Sequence, residues 1–281
     1  MGILAKNATV NSGSIRFSYH HADGSPETVD LLQKDKKWIR RHINGKRIAM
    51  VFQDPMASLN PRKKVEDIIG EGLDIHHLCK TQAERREKVE KILAKVGLAP
   101  EHAERYPHQF SGGQRQRVGI ARALIMNPKL IIADECISAL DVSIQAQIIN
   151  LLQDLREKDN ISFLFIAHDM SVVKYISDRI GVMYLGHLME EAETEELFAN
   201  PLHPYAQALL SAVPNPDPHV KKERVVLQGD LPSPMNPPVG CVFHTRCPYA
   251  TEKCSLKVPS MHEVSPGHRV ACLKYEGDGA L

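Results

Sequence analysis

The sequence predicts an α/β fold in which a parallel sheet is covered by helices, and three observations lead to it. Three apolar runs are continuous, as in strands buried on both faces of a parallel sheet: 130–133, 163–167 and 180–185. Between the first two runs, apolar residues recur at helical spacing: Ile144, Ile148, Leu151 and Leu155. Asp134 and Glu135 directly follow the first run. Strands that alternate with helices in this way imply a parallel sheet.

Upstream of these strands, the pattern predicts one more strand and a helical block. Residues 48–52 form a short apolar run that ends at a polar loop, which predicts a strand leading into that loop. Residues 65–96 carry apolar side chains three or four apart, the spacing of a helix. Ser111 precedes a further predicted helix, 114–125. The block from about 56 to 127 is therefore expected to form a helical subdomain of the α/β core.

A chain of 281 residues is long enough for two domains. We expect an α/β core over residues 1–195 and a C-terminal extension over 196–281. The extension is predicted to begin with two short helices that end near Val213. A proline-rich stretch, 231–238, then leads into a cluster of cysteines.

Composition excludes several classes of function. The 35 basic and 34 acidic residues give a net charge of +1, so no global field attracts nucleic acid or anionic lipid. No apolar run approaches the roughly 18 residues that a membrane-spanning helix needs. The first residues lack the basic and apolar regions of a secretory signal, so the sequence favours the cytoplasm.

Two motifs have the residue types that nucleotide chemistry needs. Asp134 can hold Mg²⁺ through water, and Glu135 can polarise an attacking water, although two acids alone fit a solvated strand end equally well. Ser111-Gly112-Gly113 precedes a helix, where glycines let backbone amides approach a phosphate and the helix N-terminus favours negative charge. A serine cap followed by a flexible glycine pair is the simpler interpretation of this motif alone.

Two single residues extend the pattern. Gln53 follows the first predicted strand and could contact Mg²⁺ or the attacking water, and His168 follows a later strand and could contact a γ-phosphate. Either residue alone would be interpreted as structural. The complete set resembles the ATPases of ABC transporters in order and spacing, and the resemblance covers almost the whole chain: Gln53, Ser111 to Gly113, Asp134-Glu135, Asp141 and His168.

The resemblance implies a role for each matching position. Gln53 would sense Mg²⁺ and couple to the membrane subunit, Asp134 would support Mg²⁺, and Glu135 would be the general base. His168 would be the switch histidine, and Asp141 would lie in the loop that faces the partner ATPase. The signature would cover the γ-phosphate of ATP bound to that partner, and it consists of Ser111, Gly112, Gly113 and Gln114.

The six cysteines are of two kinds. Cys79 and Cys136 are isolated, and Cys136 replaces the proline that usually follows the catalytic glutamate in the family, so we expect it to be a packing residue. The other four crowd the end of the chain: Cys241, Cys247, Cys254 and Cys272. Their spacing matches neither paired zinc motifs nor the common ferredoxin runs, so zinc, an iron–sulfur cluster and reduced free thiols stay comparable on residues alone.

The surroundings of these cysteines carry a second resemblance. Residues 200–205, 229–234 and 240–248 are similar to the C-terminal extension of oligopeptide and dipeptide importer ATPases. Members of that family are reported to hold a [4Fe–4S] cluster in this extension. The resemblance therefore favours an iron–sulfur cluster over zinc at the four cysteines.

One motif of the family is absent from the sequence. No Gly-x-x-x-x-Gly-Lys-[Ser/Thr] phosphate loop occurs, and the segment 1–5 resembles the end of the helix that follows this loop. A start at an internal methionine or a truncated gene is one explanation. A degenerate subunit that only completes a partner's ATP site, or serves assembly or cluster binding, is the other. On either explanation we expect the isolated chain not to hydrolyse ATP.

These observations predict the ATP-binding subunit of an importer. The resemblance implies ATP and Mg²⁺ as ligands, a second ABC ATPase subunit in a homo- or heterodimer, two membrane permeases and, indirectly, a peptide-binding protein. It places the chain peripherally on the cytoplasmic face of the membrane, with no nucleic-acid partner. Soluble ABC ATPases of DNA repair or translation need coiled coils or tandem cassettes, which the sequence lacks. Dipeptides, oligopeptides and nickel all remain candidate substrates.

Overall fold

The computed structural model describes residues 1–2, 7–21, 23–214 and 225–276. The chain divides into two compact units, Met1–Ile166 and Ala167–Leu281. The domain boundary expected between 195 and 196 remains a prediction. The resemblance of segment 1–5 to a helix end falls largely on residues outside the described ranges. Across those ranges, no helix has the length and apolar character to span a membrane.

The first unit contains two small sheets and six helices within its described residues. Its strands are β1 (Arg16–His20), β2 (Pro26–Asp30), β3 (Ile48–Val51), β4 (Leu130–Asp134) and β5 (Ser162–Ile166). Its helices are α1 (Lys36–His42), α2 (Pro55–Ser58), α3 (Val65–Ile75), α4 (Gln82–Lys95), α5 (Gly112–Leu124) and α6 (Val142–Asp159). The hairpin of β1 and β2 and the basic helix α1 were not predicted from the sequence.

Strands β3, β4 and β5 form a parallel sheet in that order, which confirms the predicted α/β arrangement. Central strand β4 buries Ile131 and Ala133 completely. The expectation that β5 is buried on both faces was wrong, because Leu164 and Ile166 are 53% and 44% exposed. Strand β5 is an outer strand of this sheet and pairs on one side only. Its continuous apolar sequence therefore does not mean that both of its faces are buried.

The helical block at 65–96 is two helices, with a break at residues 76–81. His77 has a positive φ of 52°, and the Thr81 side chain accepts a hydrogen bond from the Glu84 N–H, which begins α4. The two helices are joined by buried Arg85, which binds both Asp74 oxygens at 2.8 and 2.9 Å. This bidentate pair fixes the α3–α4 packing.

The second unit contains an antiparallel sheet with short helices among its described residues. Its helices are α7 (Met170–Ile176), α8 (Thr194–Ala199), α9 (Pro204–Ser211) and α10 (Glu252–Leu256). Its strands are β6 (Arg179–Tyr184), β7 (His187–Glu193), β8 (His262–Ser265) and β9 (His268–Val270), in the order β6-β7-β9-β8. Helices α8 and α9 confirm the two short helices predicted after Thr194.

The prediction that residues 180–185 add a third parallel strand was wrong. Strand β6 pairs antiparallel with β7 in this separate sheet. The reason is the two-residue turn between them, in which Leu185 and Gly186 both have positive φ, 44° and 80°. Such a turn reverses the chain at once, so the next strand must run antiparallel.

Candidate functional site

The carboxyl ends of β3 and β4 bring together residues that were predicted from separate motifs. Strand β3 ends at Val51, two residues before Gln53, and Val51 pairs with Ala133 of β4. Asp134 closes β4, and Glu135 follows it. Parallel strands end at the same edge, so these side chains share the edge at which open α/β sheets bind ligands.

A direct hydrogen bond joins two of these residues. The Gln53 Nε2 atom donates to Glu135 Oε2 at 2.7 Å, although 82 positions separate the two residues in the chain. Gln53 is exposed, whereas Asp134 and Glu135 are half-buried. The bond fixes the direction in which the Glu135 carboxyl group points. The edge therefore presents a carboxylate that is oriented and still reachable by water.

The backbone of Glu135 is held in an uncommon conformation. Its φ is 42°, in the left-handed region that non-glycine residues seldom adopt. The Glu135 N–H donates to the Ile166 carbonyl at 3.0 Å, and the Ser138 N–H and hydroxyl donate to the Glu135 carbonyl at 3.1 and 2.9 Å. These three bonds keep the strained residue at the end of β4, as is common at functional sites.

Cys136 lies next to this carboxylate but turns inward. Its side chain is 1% exposed, and burial raises the pKa of its thiol to about 12. A thiol in that state is neither ionised at neutral pH nor reachable by a substrate. The structure therefore agrees with the packing role expected for Cys136.

Ser111 begins α5 as predicted. Its hydroxyl accepts a hydrogen bond from the Gln114 N–H at 3.3 Å, and the Gln114 side chain accepts from the Ser111 N–H at 3.0 Å. This reciprocal pair is a capping box. A Cβ atom on Gly113 would lie 2.4 Å from Ile144 Cγ2 of α6, so the glycine is needed for packing. The motif thus combines a capped helix start with a glycine required by its neighbour.

Asp141 begins α6 in the same way. Its Oδ1 atom accepts hydrogen bonds from the Ile144 N–H at 3.0 Å and the Ser143 hydroxyl at 2.7 Å. The Ser143 hydroxyl and then the Ile144 N–H lower the pKa of this carboxyl. The residue predicted to face a partner therefore has a structural role as a helix cap.

His168 comes two residues after β5 ends, at the start of the second unit. Its assignment as the switch histidine stays a prediction, as do the assigned roles of the other site residues.

Three of the four clustered cysteines pack in one apolar core of the second unit. Buried Cys241 belongs to a core that includes Tyr184 and Phe243, and Cys247 and Cys254 pack against it. Cys272 also lies near, since the thiols of Cys241 and Cys254 both influence its pKa. The sequence cluster is therefore a cluster in space.

Backbone N–H groups influence the thiols of this cluster. The pKa of Cys241 is lowered in part by the N–H groups of Phe243 and His244, that of Cys247 by Tyr249, and that of Cys272 by Lys274. The Thr251 N–H lies 3.5 Å from Cys254 Sγ. Burial raises the pKa of Cys247 to about 11 and also raises the pKa values of Cys241 and Cys272. As free thiols these side chains are unreactive.

The described residues contain no group of three or more His, Cys, Asp or Glu side chains that stands ready to hold a metal ion. The four thiols are thus neighbours without converging on one point. Only the donor chemistry of the set, four thiols, fits a thiolate-bound metal. The choice between iron–sulfur and zinc belongs with the proposals below.

Sequence reasoning did not single out a buried polar pair in the second unit. Glu190 and His268 are 0% and 1% exposed, and their side chains are 2.8 Å apart. They come from β7 and β9, 78 positions apart in the chain, and neither belongs to a recognisable motif. No signal in the sequence pairs them, because the pairing depends on how β7 and β9 align.

The fold and the edge of β3 and β4 define the class of protein, an ATPase of the ABC type. Solved structures agree with this class. The dimeric structure of a post-hydrolysis state of the ATP-binding cassette MJ0796 bound to ADP and Pi matches with a TM-score of 0.53 and 28% identity, over 60% of this chain and 74% of that one. CbiO1 from Clostridium perfringens, part of the ABC transporter complex cbiONQ, matches with a TM-score of 0.53 and 27% identity, over 63% and 69%.

Sequence comparison is more specific. The ABC transporter family model matches residues 1–138, and the model of the oligopeptide/dipeptide transporter C-terminal region matches residues 189–254. The oligopeptide transport ATP-binding protein AppF of Bacillus subtilis is 58% identical over 248 residues, 88% of this chain and 75% of AppF. OppF of Escherichia coli, also an oligopeptide transport ATP-binding protein, is 56% identical over 231 residues, 82% and 69%. The chain therefore belongs to the ABC transporter ATP-binding subunits that carry the oligopeptide/dipeptide transporter C-terminal region.

Proposed function

We propose that this chain is the ATP-binding and ATP-hydrolysing subunit that energises peptide import through an ABC transporter. The observation that carries the proposal is the Gln53–Glu135 hydrogen bond of 2.7 Å at the carboxyl edge of β3 and β4. Membership of the family supplies ATP with Mg²⁺ as the ligand. The names of AppF and OppF point to peptides as the cargo.

In this proposal each residue at the edge has a separate role in ATP hydrolysis. Asp134 supports Mg²⁺ through water, and Glu135 accepts a proton from the attacking water. Gln53 orients the Glu135 carboxylate and senses Mg²⁺, and His168 contacts the γ-phosphate. Mg²⁺ supplies charge neutralisation on the phosphate oxygens when ATP is bound. The oriented and half-buried carboxylate of Glu135 supports its role as the base.

The signature of this chain serves an ATP site shared with a second ABC ATPase subunit, which is either a copy of this chain or a related one. Ser111, Gly112, Gly113 and Gln114 cover the γ-phosphate of the nucleotide bound there, and Asp141 faces the partner. The capped N-terminus of α5 supports this assignment, because helix N-termini favour phosphate. The cassette MJ0796, which has the same fold, is described as dimeric.

Two membrane permeases complete the transporter, and the chain works on the cytoplasmic face of the membrane. Apolar side chains that flank Gln53 support a contact there, since Phe52 and Met56 are 41% and 46% exposed. A peptide-binding protein delivers the cargo to the permeases. The permeases and that protein select among dipeptides, oligopeptides and nickel.

The test is a Glu135→Gln substitution in the assembled transporter in proteoliposomes. We expect ATP turnover and peptide uptake to fall by roughly 10²- to 10⁴-fold while ATP binding persists, because only the general base is removed. Glu101→Gln, an exposed carboxylate on a short turn, is the matched control and should retain turnover. Unchanged turnover in Glu135→Gln would contradict the proposal and favour the alternative, a degenerate subunit that only completes the partner's site.

We also propose that the thiols of Cys241, Cys247, Cys254 and Cys272 hold a [4Fe–4S] cluster in this subunit, with zinc as the alternative. The support is the shared surroundings of the four sulfurs, together with the match of residues 189–254 to the transporter C-terminal region. Anaerobically purified chain should contain iron and acid-labile sulfide and absorb in the visible range. Stoichiometric zinc without visible absorbance would select the alternative.

A further inference from the structure

Helix α1 lies in a strongly basic segment of the chain. Residues 34–47 contain seven basic side chains and one acidic side chain, a net charge of +6, whereas the whole chain has a net charge of +1. The remainder of the chain therefore has a net charge of −5. Positive charge is thus concentrated in one segment, although the chain as a whole presents no global field.

The basic side chains of α1 share one side of the helix. At about 100° per residue, positions 36, 37, 40 and 41 fall within an arc of about 140°. The opposite side is apolar, since Ile39 is 6% exposed and packs in a core with the β1–β2 hairpin and β3. The four side chains on the outward arc are all exposed and define the basic face of α1: Lys36, Lys37, Arg40 and Arg41.

Local contacts hold the basic face in place. Asp35, the one acidic residue of the segment, accepts a hydrogen bond from the Trp38 N–H at 2.7 Å and caps the helix. The rings of Trp38 and His42 are half-buried and stack at a centroid distance of 4.7 Å. The Lys34 ammonium group lies 4.9 Å from the centroid of the Trp38 ring. These contacts fix the rotation of α1 about its axis, so its basic face is a preformed surface.

The cations of the basic face are not paired. Among the carboxylates that the structure describes, none forms an ion pair with any of its four side chains. Helix α4 of the same unit differs, because its acids alternate with its cations. Three pairs there have i,i+4 spacing and distances of 2.8, 2.8 and 2.6 Å: Arg86–Glu90, Lys88–Glu84 and Lys91–Glu87. Alternating charge is typical of a helix face that meets only water, whereas a face of one sign is suited to an external anion.

The charge pattern of this face fits an anionic lipid surface better than a nucleic acid. Clusters of about four to eight Lys or Arg side chains on an amphipathic helix favour anionic lipid headgroups. Proteins that bind single-stranded nucleic acid add aromatic side chains on which bases stack, whereas the Trp38 ring is already stacked on His42. The occupant that these features indicate is the anionic headgroup layer of a membrane.

We propose that the basic face of α1 binds anionic phospholipid headgroups of the membrane on which the chain works. The inference rests on the proposed function, which places the chain at a membrane, and it adds a direct lipid contact to the contacts with the permeases. Attraction to the headgroups acts within about one Debye length, roughly 8 Å at physiological ionic strength, so it is lost at high salt.

The test is co-sedimentation of the purified full chain with two kinds of vesicle, pure phosphatidylcholine and phosphatidylcholine mixed with anionic phosphatidylglycerol, at low and high salt. The test variant neutralises the basic face: Lys36→Gln, Lys37→Gln, Arg40→Gln and Arg41→Gln. The matched control removes the same charge from exposed lysines elsewhere in the first unit: Lys80→Gln, Lys91→Gln, Lys129→Gln and Lys158→Gln. Thermal midpoints check that both variants fold, and the pairs at 36–37 and 40–41 are also neutralised separately.

We expect the wild type to bind the mixed vesicles but not pure phosphatidylcholine, and to be released at high salt. The test variant should bind the mixed vesicles roughly 10²-fold more weakly, since each cation near an anionic surface contributes about a five-fold factor. Each separate pair should weaken binding by roughly 10-fold. The charge-matched control should bind like the wild type, because its lysines lie outside the basic face.

Three outcomes would overturn the inference. Wild-type protein that does not distinguish the two kinds of vesicle would do so, as would equal losses in the test variant and the charge-matched control, which indicate net charge alone. Tighter binding to an RNA oligomer than to the mixed vesicles would assign the face to nucleic acid instead. If Glu135→Gln abolishes ATP turnover while the wild type ignores anionic vesicles, only the lipid contact is refuted and the proposed function stands.

Discussion

Each unit contains a glutamate that is hydrogen-bonded to another side chain, but the two glutamates differ in how far solvent can reach them. At the edge of β3 and β4, exposed Gln53 and half-buried Glu135 form one hydrogen bond and stay reachable by solvent. In the second unit, Glu190 and His268 are 0% and 1% exposed and bound on all sides. An acid that is oriented but reachable suits chemistry, whereas an acid that is buried and fully bound suits the architecture. Residue type alone does not distinguish the two.

The contacts of Glu190 show how complete its binding is. One carboxylate oxygen accepts from the Leu202 N–H and His268 Nε2, both at 2.8 Å, and the other accepts from the His203 N–H at 2.7 Å. The Nδ1 atom of His268 lies 3.1 Å from Glu196. Both ring nitrogens of His268 thus lie within hydrogen-bonding distance of carboxylates. The pair ties β9 to β7, α8 and the loop before α9.

The largest expected effect is loss of the buried His268 ring. We expect His268→Leu to lower the free energy of unfolding by roughly 3–5 kcal/mol, because the buried carboxyl group of Glu190 loses its side-chain partner. The double variant Glu190→Gln/His268→Leu should recover part of that loss, since an amide then replaces the carboxyl group that has lost its partner. His187→Leu on the same sheet is the control, because His187 is exposed, and it should change stability by less than about 0.5 kcal/mol. Chemical denaturation measures all three, and equal losses in His268→Leu and His187→Leu would contradict the comparison.

The next effect concerns pH and also belongs to the second unit. His203 is 1% exposed, and burial lowers its pKa to about 4. Its Nδ1 atom accepts a hydrogen bond from the Tyr205 N–H at 3.0 Å, so the folded ring is neutral. Below a pH of about 6.5, His203 binds a proton in the unfolded chain, whereas in the folded chain it stays neutral until about pH 4. The free energy of unfolding therefore decreases as pH falls through this window, by roughly 3 kcal/mol.

His203→Asn keeps an acceptor for the Tyr205 N–H and removes the titrating ring. Unfolding free energies measured between pH 7 and pH 4 should therefore decline less steeply in this variant than in the wild type. Identical slopes would show that His203 is not the group responsible.

Local patterns predicted three elements of the first unit: β4, α5 and α6. The apolar run of β4, the serine before α5 and the helical spacing in α6 are each properties of neighbouring residues, and each element formed where expected. The error at residues 180–185 has a local cause too. An apolar run does not show which strand it pairs with. The turn at Leu185 and Gly186 makes β6 pair antiparallel with β7.

The contacts of the site depended on the alignment of distant segments. The family resemblance assigned Gln53 and Glu135 separately, but their hydrogen bond spans 82 positions and requires β3 and β4 in parallel register.

Gly113 brings the comparison back to the first unit, with the smallest expected effect. The sequence explained it by close approach to a phosphate, and the structure adds a packing reason, since a Cβ would lie 2.4 Å from Ile144 Cγ2. We expect Gly113→Ala to destabilise the protein by about 1–3 kcal/mol through this overlap. Gly119→Ala in the same helix should instead stabilise it by about 0.5–1 kcal/mol, because nothing lies within 4 Å of the new methyl group.

A second substitution separates the two reasons for Gly113. Ile144→Ala removes the Cγ2 atom that the new methyl group would meet, so Gly113→Ala should cost less stability in that background than in the wild type. If ATP turnover of the assembled transporter stays low in the double variant while its stability recovers relative to Ile144→Ala alone, Gly113 serves the phosphate as well as the packing. If turnover recovers together with stability, packing against α6 is sufficient to explain why residue 113 is a glycine. Contact with the phosphate would then be made by the other residues of the signature.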